Sequence, residues 1–203
     1  MQAHPLMSVL HSLSCSLFLL HSFIKKTKIC DFVVVSPDYG GVKRAKEISQ
    51  AFELQLAIVD KRRPAPNQVE VSNLLGNVSN KVCLLFDDMI DTGGTMIAAS
   101  KLLKEKGAKE VYILATHALF NGNAVINFTN AINEGIIKNI FVTNTIEKNL
   151  NIPNLEIISV AKPISKIIEL LNIGHGSMSA SIKDLISDIK SEISQCVIDN
   201  AKN

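Results

Sequence analysis

The chain has almost no charge surplus, no paired-cysteine spacing and no lysine-bearing phosphate loop, and each absence removes a class of function. Its 21 Lys and Arg stand against 19 Asp and Glu, a net charge of +2. That is too little to hold nucleic acid or an anionic membrane over a whole surface, so any anion must be caught locally. The four cysteines, Cys15, Cys30, Cys83 and Cys196, are scattered, with no Cys-x-x-Cys or Cys/His ligand spacing. The pattern argues against a zinc site and a disulfide framework and fits a reducing compartment such as the cytoplasm. The spacing Gly-x4-Gly-Lys-Ser/Thr of ATPase phosphate loops occurs nowhere.

Residues 1–24 lack Asp, Glu, Lys and Arg altogether and contain the apolar run Leu17-Phe18-Leu19-Leu20. A signal peptide carries positive charge before its apolar stretch, whereas here Lys25, Lys26 and Lys28 follow it, and serines and histidines interrupt it. Leu6, Leu10, Leu13, Leu17, Leu20 and Ile24 recur at alternating steps of four and three behind Pro5. That period predicts a helix docking one apolar face, rather than a targeting segment or a membrane span.

What is present is enough for a core. Hydrophobic residues make up 47% of 203 residues, a length of one full domain with some surplus. From residue 31 short β-branched runs alternate with helical patterns, the signature of a parallel α/β sheet covered by helices. Strands are expected at 32–35, 56–59, 82–86, 111–115, 140–142 and 157–160. Helices are expected at 43–52, 95–106, 124–134 and 164–171. Beyond Gly174 and Gly176, Ile182, Leu185, Ile186, Ile189, Ile193 and Val197 mark a further amphipathic helix, either cover for the chain's own domain or a partner surface.

The chemistry concentrates where the strand ending at Phe86 meets Asp87-Asp88-Met89-Ile90-Asp91-Thr92-Gly93-Gly94-Thr95 and then a helix. Ligands of open parallel sheets bind beyond the carboxyl ends of strands, where a helix N-terminus offers free N–H groups to an anion. Gly93 and Gly94 let the backbone approach, and Thr92 and Thr95 add hydroxyls. Asp91 to Thr95 therefore reads as a phosphate cradle without lysine, with Asp87 and Asp88 placed for the hydroxyls of an attached sugar or a hydrated Mg2+. A turn whose aspartates merely cap the next helix is the blander alternative. Two further segments point to the same sheet end. Asp38 follows a strand and precedes Gly40-Gly41, as either a ligand group or a helix cap, and Lys61-Arg62-Arg63 lies on a loop between a strand and Pro64.

The run Asp87 to Thr95 resembles the phosphoribosyl-diphosphate (PRPP) motif of the type I phosphoribosyltransferase fold. Val35 to Ala45, Asp60 to Asn67, Thr116 to Phe120 and Val142 to Ile146 are similar, within that fold, to the ribose-phosphate pyrophosphokinase (PRPP synthetase) family. The resemblance extends from about residue 30 to 173. It implies Lys61 as a catalytic lysine, Arg63 as a substrate contact and Asp38 as a Mg2+ ligand. Asp87, Asp88, Asp91, Thr92, Gly93, Gly94 and Thr95 become substrate-binding residues. It implies Mg2+ as cofactor, ATP and ribose 5-phosphate as substrates, and an oligomer with itself or with full-length synthetase subunits, with no role for nucleic acid or membrane. His117, alone at a strand end, reads as structural.

The implied organisation is an N-terminal helix at 1–28, a phosphoribosyltransferase-like domain at 29–176 and a helical tail at 177–203. All matched stretches belong to the second of the family's two similar halves, so the first helix is expected to lead in from an absent first half. Ser177-Met178-Ser179-Ala180-Ser181-Ile182 departs from the family's usual final strand, which puts phosphate and nucleotide control in doubt. A non-catalytic regulatory or assembly subunit is the competing expectation, and a base-transferring phosphoribosyltransferase a weaker one.

Overall fold

Runs such as Val33-Val34-Val35 and Cys83-Leu84-Leu85-Phe86 are apolar at every position, which suits strands covered on both faces. The computed structural model describes residues 15–62, 71–173, 183 and 187–195, and in it these runs form the centre of a seven-stranded sheet. The strands are β1 (Val33–Ser36), β2 (Gln55–Arg62), β3 (Val71–Leu75), β4 (Val82–Ile90), β5 (Glu110–Ala118), β6 (Asn139–Thr143) and β7 (Leu155–Ile158). The helices are α1 (Ser16–Thr27), ahead of β1, α2 (Val42–Phe52), α3 (Gly94–Glu105) and α4 (Ala124–Asn133), between strands, and α5 (Ala161–Ile173), after β7. The order across the sheet is β3-β2-β1-β4-β5-β6-β7. Every neighbouring pair is parallel except β2 and β3.

Alternation along the strands divides the core in two. Val33, Val35, Cys83, Leu85 and Ile113 pack with Met96, Ala99 and Leu103 of α3 and Phe128 of α4. Val34, Leu84, Phe86, Leu114 and Phe141 pack on the other face with Leu20 and Phe23 of α1 and Ile48 and Phe52 of α2. Phe23 is wholly buried and meets Phe32, Tyr112 and Phe141 edge-on, with ring centroids 5.8, 5.0 and 5.6 Å away. The expected docking helix thus docks on the sheet of its own chain. Its buried face is formed by Ser16, Leu19, Leu20, Phe23 and Ile24, so Leu19 and Phe23 join the stripe and Leu17 sits at its border. Leu6, Leu10 and Leu13 lie outside the described residues.

The described part of the tail packs on its own chain. Residues 187–195 are helical, Ile189 is fully buried in the α1–α2 core cluster, and the Glu192 carboxylate meets His21 Nε2 at 2.9 Å and Lys25 Nζ at 3.3 Å. Ile182, Leu185, Ile186 and Val197 lie outside the described residues.

Three expectations are corrected. β4 does not end at Phe86 but continues through the acids to Ile90, paired on β5 as Asp87↔Ala115 and Met89↔His117. Lys61 and Arg62 are strand rather than loop, because an antiparallel edge strand supplies partners, Lys61↔Ser72 and Arg62↔Val71. β3 escaped notice because a short edge strand has little apolar alternation to betray it. Cys15 and Cys83 are free, but Cys30 is disulfide-bonded. Spacing along a chain does not show such a pairing.

Candidate active site

A crevice opens in an α/β sheet where successive crossovers leave on opposite faces. β1 lies between β2 and β4. α2, leaving β1, packs into one core cluster, while α3, leaving β4, packs into the other. The carboxyl ends of β1 and β4 therefore flank the switch point. A cavity of about 130 Å³ lies there, lined by Asp38, Asp87 and the continuous run Met89 to Met96. Of the site residues expected from sequence, Asp38, Asp87, Asp91, Thr92, Gly93, Gly94 and Thr95 meet around this one space. Asp88 does not line it. Lys61 is on β2, three residues beyond Ile58, the partner of the last β1 residue Ser36, and so belongs to the same end of the sheet. Arg63 lies outside the described residues.

The turn into α3 is shaped by its glycines. Gly93 has φ +78°, and a Cβ there would stand 2.2 Å from Phe128 Cε2, so both the left-handed backbone and the ring beneath demand glycine. At Gly94 a Cβ would meet nothing within 4 Å; the space above it is open. α3 carries no side-chain cap and no acid in its first turn. Its first N–H groups and the positive end of its dipole face the crevice uncompensated, which favours an anion.

Asp91 is anchored from the β5–α4 connection. The Asn121 N–H donates to the Asp91 carbonyl at 3.0 Å, and Asn121 Nδ2 donates to Asp91 Oδ1 at 2.8 Å. Lys148 Nζ donates in turn to Asn121 Oδ1 at 3.1 Å and to the Leu119 carbonyl.

The two adjacent acids share a cation. Arg44, on the first turn of α2, places Nη1 3.2 Å from Asp87 Oδ1 and Nη2 3.3 Å from Asp88 Oδ2. The Asp88 N–H donates to Asp87 Oδ1 at 2.8 Å. Burial, reinforced by the neighbouring Asp88 carboxyl, pushes the Asp87 carboxyl up to about 6. At Asp88 burial acts upward too, but the hydrogen bond from Asp87 and the charge of Arg44 outweigh it and hold that carboxyl below its ordinary value. Asp87 is thus the member that keeps a proton longer when no ligand neutralises the pair.

Asp38 lines the crevice and braces the turn before α2 without capping the helix, which carries no side-chain cap hydrogen bond. Its Oδ1 accepts the Gly41 N–H at 3.0 Å and its carbonyl accepts the Ser36 hydroxyl at 2.7 Å, which fixes the turn into α2. His117 lies within β5, with Nδ1 2.8 Å from Thr145 Oγ1, in a network with Thr143 and the Thr116 carbonyl. Sequence reading missed Arg44, Asn121 and Lys148. Arg44 had a signal, since it opens a helix directly after the Gly40-Gly41 turn at a crevice-facing strand end. Asn121 and Lys148 had none.

A mostly parallel sheet with acids, glycines and threonines gathered at its switch point defines the doubly wound class of α/β domain, whose ligands bind at that point. Residues 19–130 match the phosphoribosyl transferase domain model, and the chain belongs to that family. It is 52% identical over 159 residues to a ribose-phosphate pyrophosphokinase of Ureaplasma parvum, covering 78% of this chain and 48% of the relative. It is 50% identical over 165 residues to that of Mycoplasma pneumoniae, covering 80% of this chain and 50% of the relative. The solved phosphoribosylpyrophosphate synthetase from Mycobacterium smegmatis superposes with a TM-score of 0.67 at 32% identity, covering 79% of this chain and 51% of the other. The chain spans about half the length of the curated relatives it matches.

Proposed function

We propose that this chain carries the sugar-phosphate and catalytic-lysine portion of a ribose-phosphate diphosphokinase, which makes PRPP and AMP from ribose 5-phosphate and MgATP. The observation that carries this reading is the meeting of Asp38, Asp87 and Asp91 to Thr95 around one cavity, in a chain half identical to ribose-phosphate pyrophosphokinases. The 5-phosphate rests on the first turn of α3, where Gly94 leaves room and Thr92 and Thr95 supply hydroxyls. Asp87 and Asp88, steadied by Arg44, accept from the ribose hydroxyls. The C1 oxygen attacks the β-phosphorus of ATP and gives its proton to solvent water, the bond from that phosphorus to the α,β-bridging oxygen breaks, and AMP leaves. Lys61 and Arg63 answer the charge that builds on the non-bridging oxygens.

Among the described residues no group of three or more His, Cys, Asp or Glu is arranged as a metal cage. Asp38 and Asp87 on one cavity nonetheless fit Mg2+, which takes one or two carboxylates and completes its shell with water and substrate phosphate. Bound there, Mg2+ would supply neutralising charge to the phosphates. Assembly into an oligomer, with copies of itself or longer synthetase chains, and a cytoplasmic location belong to the same proposal. Among the described residues no helix is long and apolar enough to cross a membrane.

The test is AMP release from ribose 5-phosphate and MgATP in the presence of phosphate, with Lys61→Ala as control. Release that Lys61→Ala abolishes is expected. An absence of Lys61-dependent AMP despite measurable ribose 5-phosphate binding would sink catalysis by this chain alone.

A further inference from the structure

Three successive crossover loops at the carboxyl end of the sheet are tied in series by side chains. Asp91 lies on the β4–α3 loop, Asn121 on the β5–α4 loop and Lys148 on the β6–β7 loop. Asn121 gives Asp91 two hydrogen bonds, N–H to carbonyl at 3.0 Å and Nδ2 to Oδ1 at 2.8 Å, and its own Oδ1 is taken by Lys148 Nζ at 3.1 Å. The amide orientation is forced, since a flipped Asn121 would turn its NH2 toward an ammonium and its oxygen toward a carboxylate. The corner beneath is over-determined as well. Phe120 holds φ +43°, a costly backbone for a bulky side chain. It is pinned by its N–H to the Ile90 carbonyl at 2.9 Å and by edge-on packing against Phe128 at 5.4 Å, the ring on which Gly93 rests.

We infer that Lys148 and Asn121 are positioning residues that act through Asp91, fixing its carboxylate and the start of the cradle so that ribose 5-phosphate meets a preformed site. Lys148 polarises the Asn121 amide, which strengthens its donation to Asp91, and anchors the loop through the Leu119 carbonyl. The inference rests on the reading of Asp87 to Thr95 as the sugar-phosphate site.

The experiment is calorimetric titration of the chain with ribose 5-phosphate, with thermal melts as a check on folding. Lys148 is exposed, so Lys148→Met keeps the aliphatic stem and the fold. It should weaken binding about fivefold, Asn121→Ala should do so at least as much, and Lys148→Arg should return affinity to within about twofold of the parent. In an Asp91→Ala background, Lys148→Met should add less than about twofold, because the residue through which it acts is gone. An equal loss from Lys148→Met in both backgrounds would show a direct effect on the ligand and overturn the inference. Parental affinity in Lys148→Met beside weakened Asp91→Ala would overturn it too, while leaving the site intact. Parental affinity in Asp91→Ala, or no binding by the parent, would instead overturn the site reading on which the brace depends.

Discussion

Gly93 and Gly94 stand side by side yet meet different constraints, and substitution separates them. Gly93→Ala forces a Cβ into the Phe128 ring at a left-handed backbone, and should destabilise the fold by about 2–4 kcal/mol from strain and overpacking together. Gly94→Ala enters open space at the first position of a helix. It should leave stability unchanged or raise it by up to about 1 kcal/mol, while its methyl weakens ribose 5-phosphate binding. Denaturant unfolding and ligand titration of the two variants distinguish a structural glycine from a ligand-clearance glycine. Asp87 gives a pH prediction. Its carboxyl titrates at about 6 in the folded chain against an ordinary 3.8. Between those values the folded chain keeps a proton that the unfolded chain has released. The contribution of Asp87 to stability is therefore full below about pH 4, falls as pH rises through about 6, and is smallest above that. Asp87→Asn should raise stability at pH 8 by on the order of 1 kcal/mol, discounted for solvent screening, flatten this part of the pH profile, and weaken sugar-phosphate binding. A gain as large at pH 4 as at pH 8 would refute the assignment.

At the level of elements, α1 is core rather than appendage. Phe23 fills a pocket between Phe32, Tyr112 and Phe141, so Phe23→Ala should cost about 3–5 kcal/mol, measured by denaturant unfolding. A helix that merely led into the domain would lose far less. The same scale explains which boundaries the sequence showed. β1, α2, α3 and α4 were legible to within a residue or two because apolar period and glycine turns mark them. The carboxyl halves of β4 and β2 were not. Their polar residues Asp87, Asp88, Lys61 and Arg62 look like loop, and only cross-strand hydrogen bonding to β5 and β3 keeps them extended. The β4 extension puts the Asp87 and Asp88 carboxylates on a ladder paired to β5, where their geometry is held more tightly than on a free loop.

On the scale of the whole molecule, the two core clusters hold α1 and α2 on one face and α3 and α4 on the other. That division creates the switch point and hence the cavity. Neither face alone would place Asp38 beside Asp87, since the first follows a strand whose crossover leaves one way and the second lies on a strand whose crossover leaves the other. The tail segment 187–195 closes over α1 through Ile189 and Glu192, adding cover to the face opposite α3 and leaving the cradle side unchanged. The share of its relatives that the chain spans, about half, sets the scale on which the proposed catalysis has to be tested.

The sequence by itself determined the α/β alternation and the turn proposed as a phosphate cradle, because its acids, glycines and threonines are contiguous and their chemistry is local to one strand-to-helix turn. Tertiary structure alone decided what surrounds it. Arg44 reaches Asp87 across 43 residues, Asn121 reaches Asp91 across 30, and Lys148 reaches Asn121 across 27. Such pairs have no signature along the chain, since they exist only once the parallel register of β1, β4, β5 and β6 aligns the loops at one end of the sheet.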